Sequence, residues 1–306
     1  MSLPTRVPGS RSNPGKNWTP GRLLTWTVLI CMITLTLLPM WMVVKTALIH
    51  PGDVFTRSTD FLPHNPTLAN FGRVLGMLTS EQSIAIGGSG AEINILNAFV
   101  HSVTFTLIIV LVQTTSSAMA AYAFARLRFP GRQTLFGLFV ASMMIPGVVL
   151  FIPNFIMIKD LGWLNTMAGM VAPFCLMSGF SVFFLRQFFL SIPRDLEEAA
   201  IIDGASHLYV FVRVVLPLSI TPMATIATLI GINSWNEFFW PFIVAKEEGM
   251  QVLTVALQAF QSQSPQGQPD WTGLMAATTI TLLPTIVLLV FLGRRVVESV
   301  QFSGGK

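Results

Sequence analysis

Charge is what this sequence has least of: only 10% of its 306 residues are Asp, Glu, Lys or Arg, against about 25% in ordinary soluble chains. With 52% hydrophobic residues and a mean hydropathy of +0.66, too little charge remains to coat a globule. The apolar surface also exceeds what one core can hide. A soluble protein is excluded, and the expected solvent is lipid. Cysteine is nearly absent. Cys31 and Cys175 both lie in long apolar runs, which excludes a disulfide framework or a zinc site with paired ligands and leaves both as small buried hydrophobes. A phosphate loop of the form G-x-x-x-x-G-K-[ST] is missing: Gly305-Lys306 has neither the earlier glycine nor a following hydroxyl residue. Any ATP hydrolysis therefore belongs to another chain. Paired intramembrane carboxylates and a His/Asp relay are missing too, which argues against a proton-coupled transporter working alone. The few polar residues in the apolar runs supply no nucleophile and base constellation, which argues against a membrane enzyme.

What the sequence has instead is long intervals without charge. A membrane-spanning helix needs about 20 mostly apolar residues. Charge-free intervals run between Arg22 and Lys45, Glu92 and Arg126, Arg132 and Lys159, Asp160 and Arg186, and Asp270 and Arg294; the interval from Arg213 to Lys246 is interrupted only by Glu237. These predict six transmembrane helices at about residues 23–46, 97–124, 134–158, 165–189, 218–244 and 272–293 of an all-α integral membrane protein. Each interval is far longer than the 9–11 residues of a barrel strand, so helices win over a β-barrel.

The basic residues give the orientation. Arg6, Arg11, Lys16, Arg22, Arg126, Arg128, Arg132, Arg186, Arg194, Arg213, Arg294, Arg295 and Lys306 fall on one face, leaving only Lys45, Arg57, Arg73, Lys159 and Lys246 for the other. The positive-inside rule makes the first face cytoplasmic, with both termini on it. The net charge of +4 is then a topology signal rather than a nucleic-acid patch. Residues 1–22 read as a cytoplasmic tail, with Trp18 as an interfacial anchor, ahead of a transmembrane domain over 23–306. They do not read as a signal peptide, because the apolar run behind them is too long and no small-residue cleavage site follows. Residues 48–96 form an external loop, either a contact surface or a mobile connector. His101, near the outer start of span 2, suits a structural or interfacial role.

The segment 191–217 carries more structure than a connector needs. Pro193 suits a first helical turn, and Asp195, Glu197 and Glu198 set negative charge against the positive end of a helix dipole. Ala199 and Ala200 favour helix without bulk, Gly204 can end it in the left-handed conformation, and Ser206 can cap the next helix. Leu208, Phe211, Val212 and Val215 then follow an amphipathic stripe. Physical chemistry alone leaves two readings, a knob for a cytoplasmic partner or an interfacial hairpin.

The residues Glu198-Ala199-Ala200, then Gly204, Val214 and Leu216-Pro217, resemble the EAA motif of ABC importer permeases, with Val where the family has Ile. The stretch Ile192 to Ser206, the run Tyr122-Ala123-Phe124-Ala125-Arg126-Leu127-Arg128-Phe129-Pro130-Gly131, and Trp235-Asn236-Glu237-Phe238 with Pro241 resemble more narrowly the sugar-importer permeases of the maltose-transporter type. The resemblance runs from about Asn97 to the C-terminus, and its glycine-rich ending matches Ser303-Gly304-Gly305-Lys306. The segment between Thr79 and Glu92 reads as an insertion.

That resemblance implies a bacterial cytoplasmic-membrane subunit with no cofactor of its own. It implies a second, non-identical permease, two cytoplasmic ATPases carrying ATP and Mg, an extracytoplasmic solute-binding protein and a sugar-like solute. Glu198, Ala199, Ala200, Asp203, Gly204, Leu216 and Pro217 would form the ATPase-coupling loop. Asn233, Trp235, Asn236 and Glu237 are candidates for the translocation path; Glu237 equally suits a structural place near the outer boundary. Alternative cargoes are a glycerol phosphate, a polyol or an osmolyte. Prolines 146, 153, 173, 222 and 284 mark expected breaks or kinks, and Ser116, Ser117, Ala118, Ala120 and Ala121 offer a close-packing face.

Overall fold

The computed structural model describes residues 20–56, 59–90, 93–262 and 269–302, the side chains of 262, 292 and 294–302 excepted. Trp18 and most of the N-terminal tail, Arg57, Glu92 and the glycine-rich ending lie outside the described residues.

Among the described residues the fold is all-helical, without strands. Three helices are long and apolar enough to cross a membrane by themselves: α1 (Pro20–Leu48), α4 (Ile95–Arg126) and α16 (Trp271–Phe302). Between α1 and α4 lie the short helices α2 (Ala69–Val74) and α3 (Ser80–Ala85). Beyond α4 the chain is broken into shorter pieces. Helix α5 (Arg132–Ser142) meets the segment containing α6 (Phe151–Asp160) at a bend of 96°. The bend falls where Pro146 cannot donate a helical hydrogen bond and Gly147 follows. Helices α7 (Met167–Val171) and α8 (Gly179–Ser191) are separated by a turn at Pro173. The expected helices over 134–158 and 165–189 are therefore each two pieces, because absence of charge reports apolar surroundings but not backbone continuity.

The segment after α8 holds α9 (Asp195–Ile202), α10 (His207–Val210), a π-helical turn Phe211–Val215 and α11 (Leu216–Leu218). It turns by 81° into α12 (Ile220–Trp235). Helices α13 (Phe239–Val244), α14 (Leu253–Ala256) and α15 (Ala259–Ser262) precede α16, and the expected helix over 218–244 is thus also divided, at the non-helical residues 236–238. Pro39 in α1 and Pro284 in α16 sit inside continuous helices.

Helix α4 is the centre of the packing. Ser117, Ala118 and Ala121 are buried against its neighbours, the close approach that small side chains permit. Around it Phe105, Ile109, Leu185, Phe189, Ile226 and Trp240 form one core cluster, and Ala98, Trp235, Leu253, Phe260 and Ala277 a second. Trp240 is fully buried and its indole N–H donates to the carbonyls of Gly169 (3.2 Å) and Met170 (3.1 Å), tying α13 to α7. By contrast, α1 exposes apolar side chains all round its N-terminal half, including Leu24, Ile30, Met32 and Leu35. Only lipid or another apolar protein surface can cover such a helix. This corrects the expectation for Cys31, which is exposed on α1, while Cys175 is half-buried against the main core.

The described part of the segment between α1 and α4 is fastened to the bundle. Asn70 donates to the carbonyls of Ala47 and Ile49, both at 2.8 Å, and Arg73 makes a buried ion pair with Asp270 at the base of α16. Ser89, within the inserted segment, reaches the same carboxylate through its N–H (2.8 Å) and hydroxyl (3.0 Å).

Candidate functional site

Residues 191–218 form a knob of two helical arms. Helix α9 carries three acidic residues in its first turn, as the dipole favours. Pro193 stands one residue ahead of the Arg194 cap rather than inside the first turn. Gly204 ends the helix at φ +86°, and Ala205 N–H donates back to the Ala200 carbonyl at 3.0 Å. A β-carbon there would meet nothing within 4 Å, so the requirement for glycine is conformational, not steric. The Ser206 hydroxyl accepts from Tyr209 N–H (3.3 Å) and starts the second arm. That arm buries Val210, Phe211 and Val215 and leaves Leu208 and Val212 exposed. The expected stripe is corrected because the π-helical turn shifts the helical register in mid-arm.

The two acidic residues at the centre of α9 have opposite fates. Glu198 is exposed, beside exposed Ala199, and Asp203 and Gly204 are exposed at the tip. Glu197 is buried in an ion pair with Arg126, Nε to Oε1 2.6 Å, with side chains 6% and 9% exposed. Arg126 also donates from Nη2 to the Ile192 carbonyl at 2.6 Å. A cavity of about 560 Å³ lies at the root of the knob, lined by Tyr122, Arg126, Arg128, Arg132, Arg194, Glu197, Glu198 and His207 among others. Ala200 and Leu216 pack on the core, and Pro217 is exposed. The free tip also shows Leu196, Ile201 and Ile202, the last 85% exposed. These apolar residues were overlooked in the sequence, although apolar side chains on a short, acidic helix were the available signal.

A second cavity, of about 430 Å³, lies inside the apolar bundle between α4, α8 and α12. Asn233 and Glu237 line it together with Ser234, Gln113, Ser178 and Ser181, and Phe105, Phe174 and Phe180 supply aromatic walls. Gln113, Ser178 and Ser181 were missed because no motif marks them; they meet only when the helices pack. Trp235 and Asn236 do not line this cavity. The Trp235 indole points the other way, donating to the Thr281 carbonyl at 3.1 Å and meeting Phe99 edge-on at 5.8 Å. Two residues' advance is 200° around a helix, which separates Trp235 from Asn233, and Glu237 lies beyond the end of α12. Asn236 is exposed and turned back to the Ile232 carbonyl. Glu237 is anchored at the break before α13: its Oε1 accepts Trp240 N–H (3.1 Å), and its carbonyl accepts the Thr254 hydroxyl (2.8 Å).

Residues 113–301 match the family described as binding-protein-dependent transport system inner membrane component. The chain belongs to this family. As a member it is a multi-pass transport component of the inner membrane, not an enzyme. It is 33% identical over 208 residues to the arabinooligosaccharides transport system permease protein AraQ of Halalkalibacterium halodurans, covering 68% of this chain and 73% of that one. It is 28% identical over 286 residues to the sn-glycerol-3-phosphate transport system permease protein UgpE of Salmonella typhi, covering 92% and 96%. A chain from the crystal structure of a bacterial ABC transporter involved in the import of the acidic polysaccharide alginate superposes with a TM-score of 0.76 at 21% identity, over 91% of this chain and 98% of that one. At that identity the likeness is one of fold, and it spans nearly the whole permease.

Proposed function

We propose that this permease is one subunit of an ATP-driven importer that carries a carbohydrate across the cytoplasmic membrane. In this reading residues 23–306 cross the membrane six times. Residues 1–22 and the C-terminus are cytoplasmic, and 191–217 is the coupling loop. A second, non-identical permease completes the pathway, two cytoplasmic ATPases hold ATP and Mg, and an extracytoplasmic binding protein delivers the solute. Glu198, Ala199, Ala200, Asp203 and Gly204 enter a cleft on an ATPase, with Leu216 and Pro217 closing the loop. The observation that carries the reading is the knob itself: a short helix with small and acidic residues outward, its inner face fixed to the bundle and its tip uncovered.

The cavity favours a neutral solute. Its polar lining is Gln113, three serines, Asn233 and Glu237, with no Lys, Arg or His. Amides, hydroxyls and one carboxylate can bond sugar hydroxyls, and phenylalanine rings can face the apolar side of a sugar ring. A phosphate group would meet a carboxylate and no cation, so the glycerol phosphate cargo of the second relative is the less favoured reading. Trp235 and Asn236 fall out of the path, leaving Asn233 and Glu237. The test is a solute-stimulated ATPase assay on the assembly purified from its native membrane with its binding protein. Neutral oligosaccharides stimulate hydrolysis if the reading holds; stimulation by glycerol phosphate alone overturns the cargo. Recovery of the chain without ATPases, still moving solute in liposomes, overturns the coupling and makes it a secondary transporter.

A further inference from the structure

The last turn of α4 holds both arms of the knob. Tyr122 and Arg126, four residues apart and so on one helical face, point to the same side. The Tyr122 ring packs on Phe211 of the second arm at 5.0 Å between centroids. Arg126 grips the first arm twice, through the Glu197 carboxylate and through the Ile192 carbonyl just ahead of α9. We propose that the buried Arg126–Glu197 ion pair is a clamp that makes α9 move as one body with α4, so that α4 carries the motion of the knob to the membrane cavity.

The argument for a positioning role is energetic as well as geometric. Burying two charges costs most of what their attraction returns, and apolar residues of similar volume would hold two helices together at least as well. What a buried ion pair adds is one permitted arrangement, since any slip leaves two charges desolvated and unpaired. The clamp also sits at the end of the right element. Helix α4 is 32 residues without a break, about 48 Å at 1.5 Å per residue. Along the way it lines the membrane cavity with Phe105, Ile109 and Gln113. Near its outer end the Ser102 hydroxyl accepts Leu253 N–H at 2.7 Å. The covalent routes from the knob each cross a break: the passage into α12 bends by 81°, and α8, which also reaches the cavity, is parted from α9 by the non-helical residues 192–194. A displacement of α9 thus reaches the cavity through α4 without passing a break.

The proposal rests on α9 being the ATPase-docking element, and the experiment separates the two. In the full assembly, Glu197→Gln keeps the volume of the side chain and removes the charge, while the exposed docking face is untouched. Expected are normal ATPase co-purification, ATP hydrolysis retained, and solute moved per ATP reduced about tenfold, within the range of ordinary allosteric couplings. Unchanged solute per ATP with ATPases bound overturns the clamp. A wild-type assembly without ATPases would overturn the docking reading instead. Hydrogen exchange on the wild-type assembly provides a measurement independent of any variant. On addition of ATP, residues 195–202 and 122–126 should change protection together; a change in the first segment with none in the second overturns the proposal.

Discussion

The guanidinium of Arg73 meets the carboxylate of Asp270 at 2.6 Å, with side chains 3% and 2% exposed, joining the segment between α1 and α4 to the base of α16. The pair is well supplied with hydrogen bonds. Arg73 also donates to Asn70 and Thr272, and Asp270 accepts from the Gly273 N–H that opens the helix and from Ser89. Asp270→Asn removes the charge and leaves Arg73 buried without a counterion, a loss of about 3–5 kcal/mol by analogy with other broken buried pairs. A lowered melting temperature in detergent, with faster proteolysis within 69–90, is the expected result.

The same pair sets an acid limit. Burial by itself would raise the Asp270 pKa, but the bonds from Arg73, Ser89 and Gly273 outweigh it and hold the carboxyl below its ordinary value. A depressed pKa means that this stabilisation is complete above the ordinary carboxylate pKa and disappears as the pH falls through the lowered one. Melting curves of the wild type should fall away at acid pH, and Asp270→Asn should lack that component.

Gly204 gives a prediction that separates conformation from contact. Its φ of +86° with open space around it means that Gly204→Ala is penalised only by the backbone, by about 1–2 kcal/mol. Asparagine visits this region more readily, so Gly204→Asn should retain more ATPase in a mild-detergent pull-down than Gly204→Ala. Glu198→Lys, on the exposed face, should insert normally and lose ATPase capture. Equal capture by the wild type and Glu198→Lys would remove α9 from the docking surface.

The sequence disclosed features that depend on local chemistry. Charge-free intervals located the apolar helices, and glycine, serine and acidic residues in 195–206 marked the end, the cap and the dipole of the knob. Features that depend on packing were hidden. Glu197 and Glu198 are neighbours of the same type, and only the position of Arg126 on another helix decides which one is buried. Trp235 is a candidate for the translocation path by sequence, but helical phase and the Thr281 carbonyl turn it into the core. The breaks at Pro146 and Pro173 were readable as prolines, whereas Pro153, Pro222 and Pro284 lie inside helices that run on through them.

That division of the Trp235 to Glu237 run gives the sharpest test of the membrane cavity. Glu237→Gln preserves an oxygen to accept the Trp240 N–H, so the break before α13 should remain folded while the cavity loses its one carboxylate. Asn233→Ala removes an amide from the same wall. If solute passes here, each should raise the solute concentration needed for half-maximal ATPase stimulation about tenfold, the equivalent of one hydrogen bond of about 1.4 kcal/mol. Trp235→Phe cannot donate to Thr281 and should lower thermal stability without moving that concentration. A cavity that carries no solute would give the opposite pattern, with Glu237→Gln and Asn233→Ala indistinguishable from wild type in stimulation. The solute would then have to pass along other surfaces than this wall.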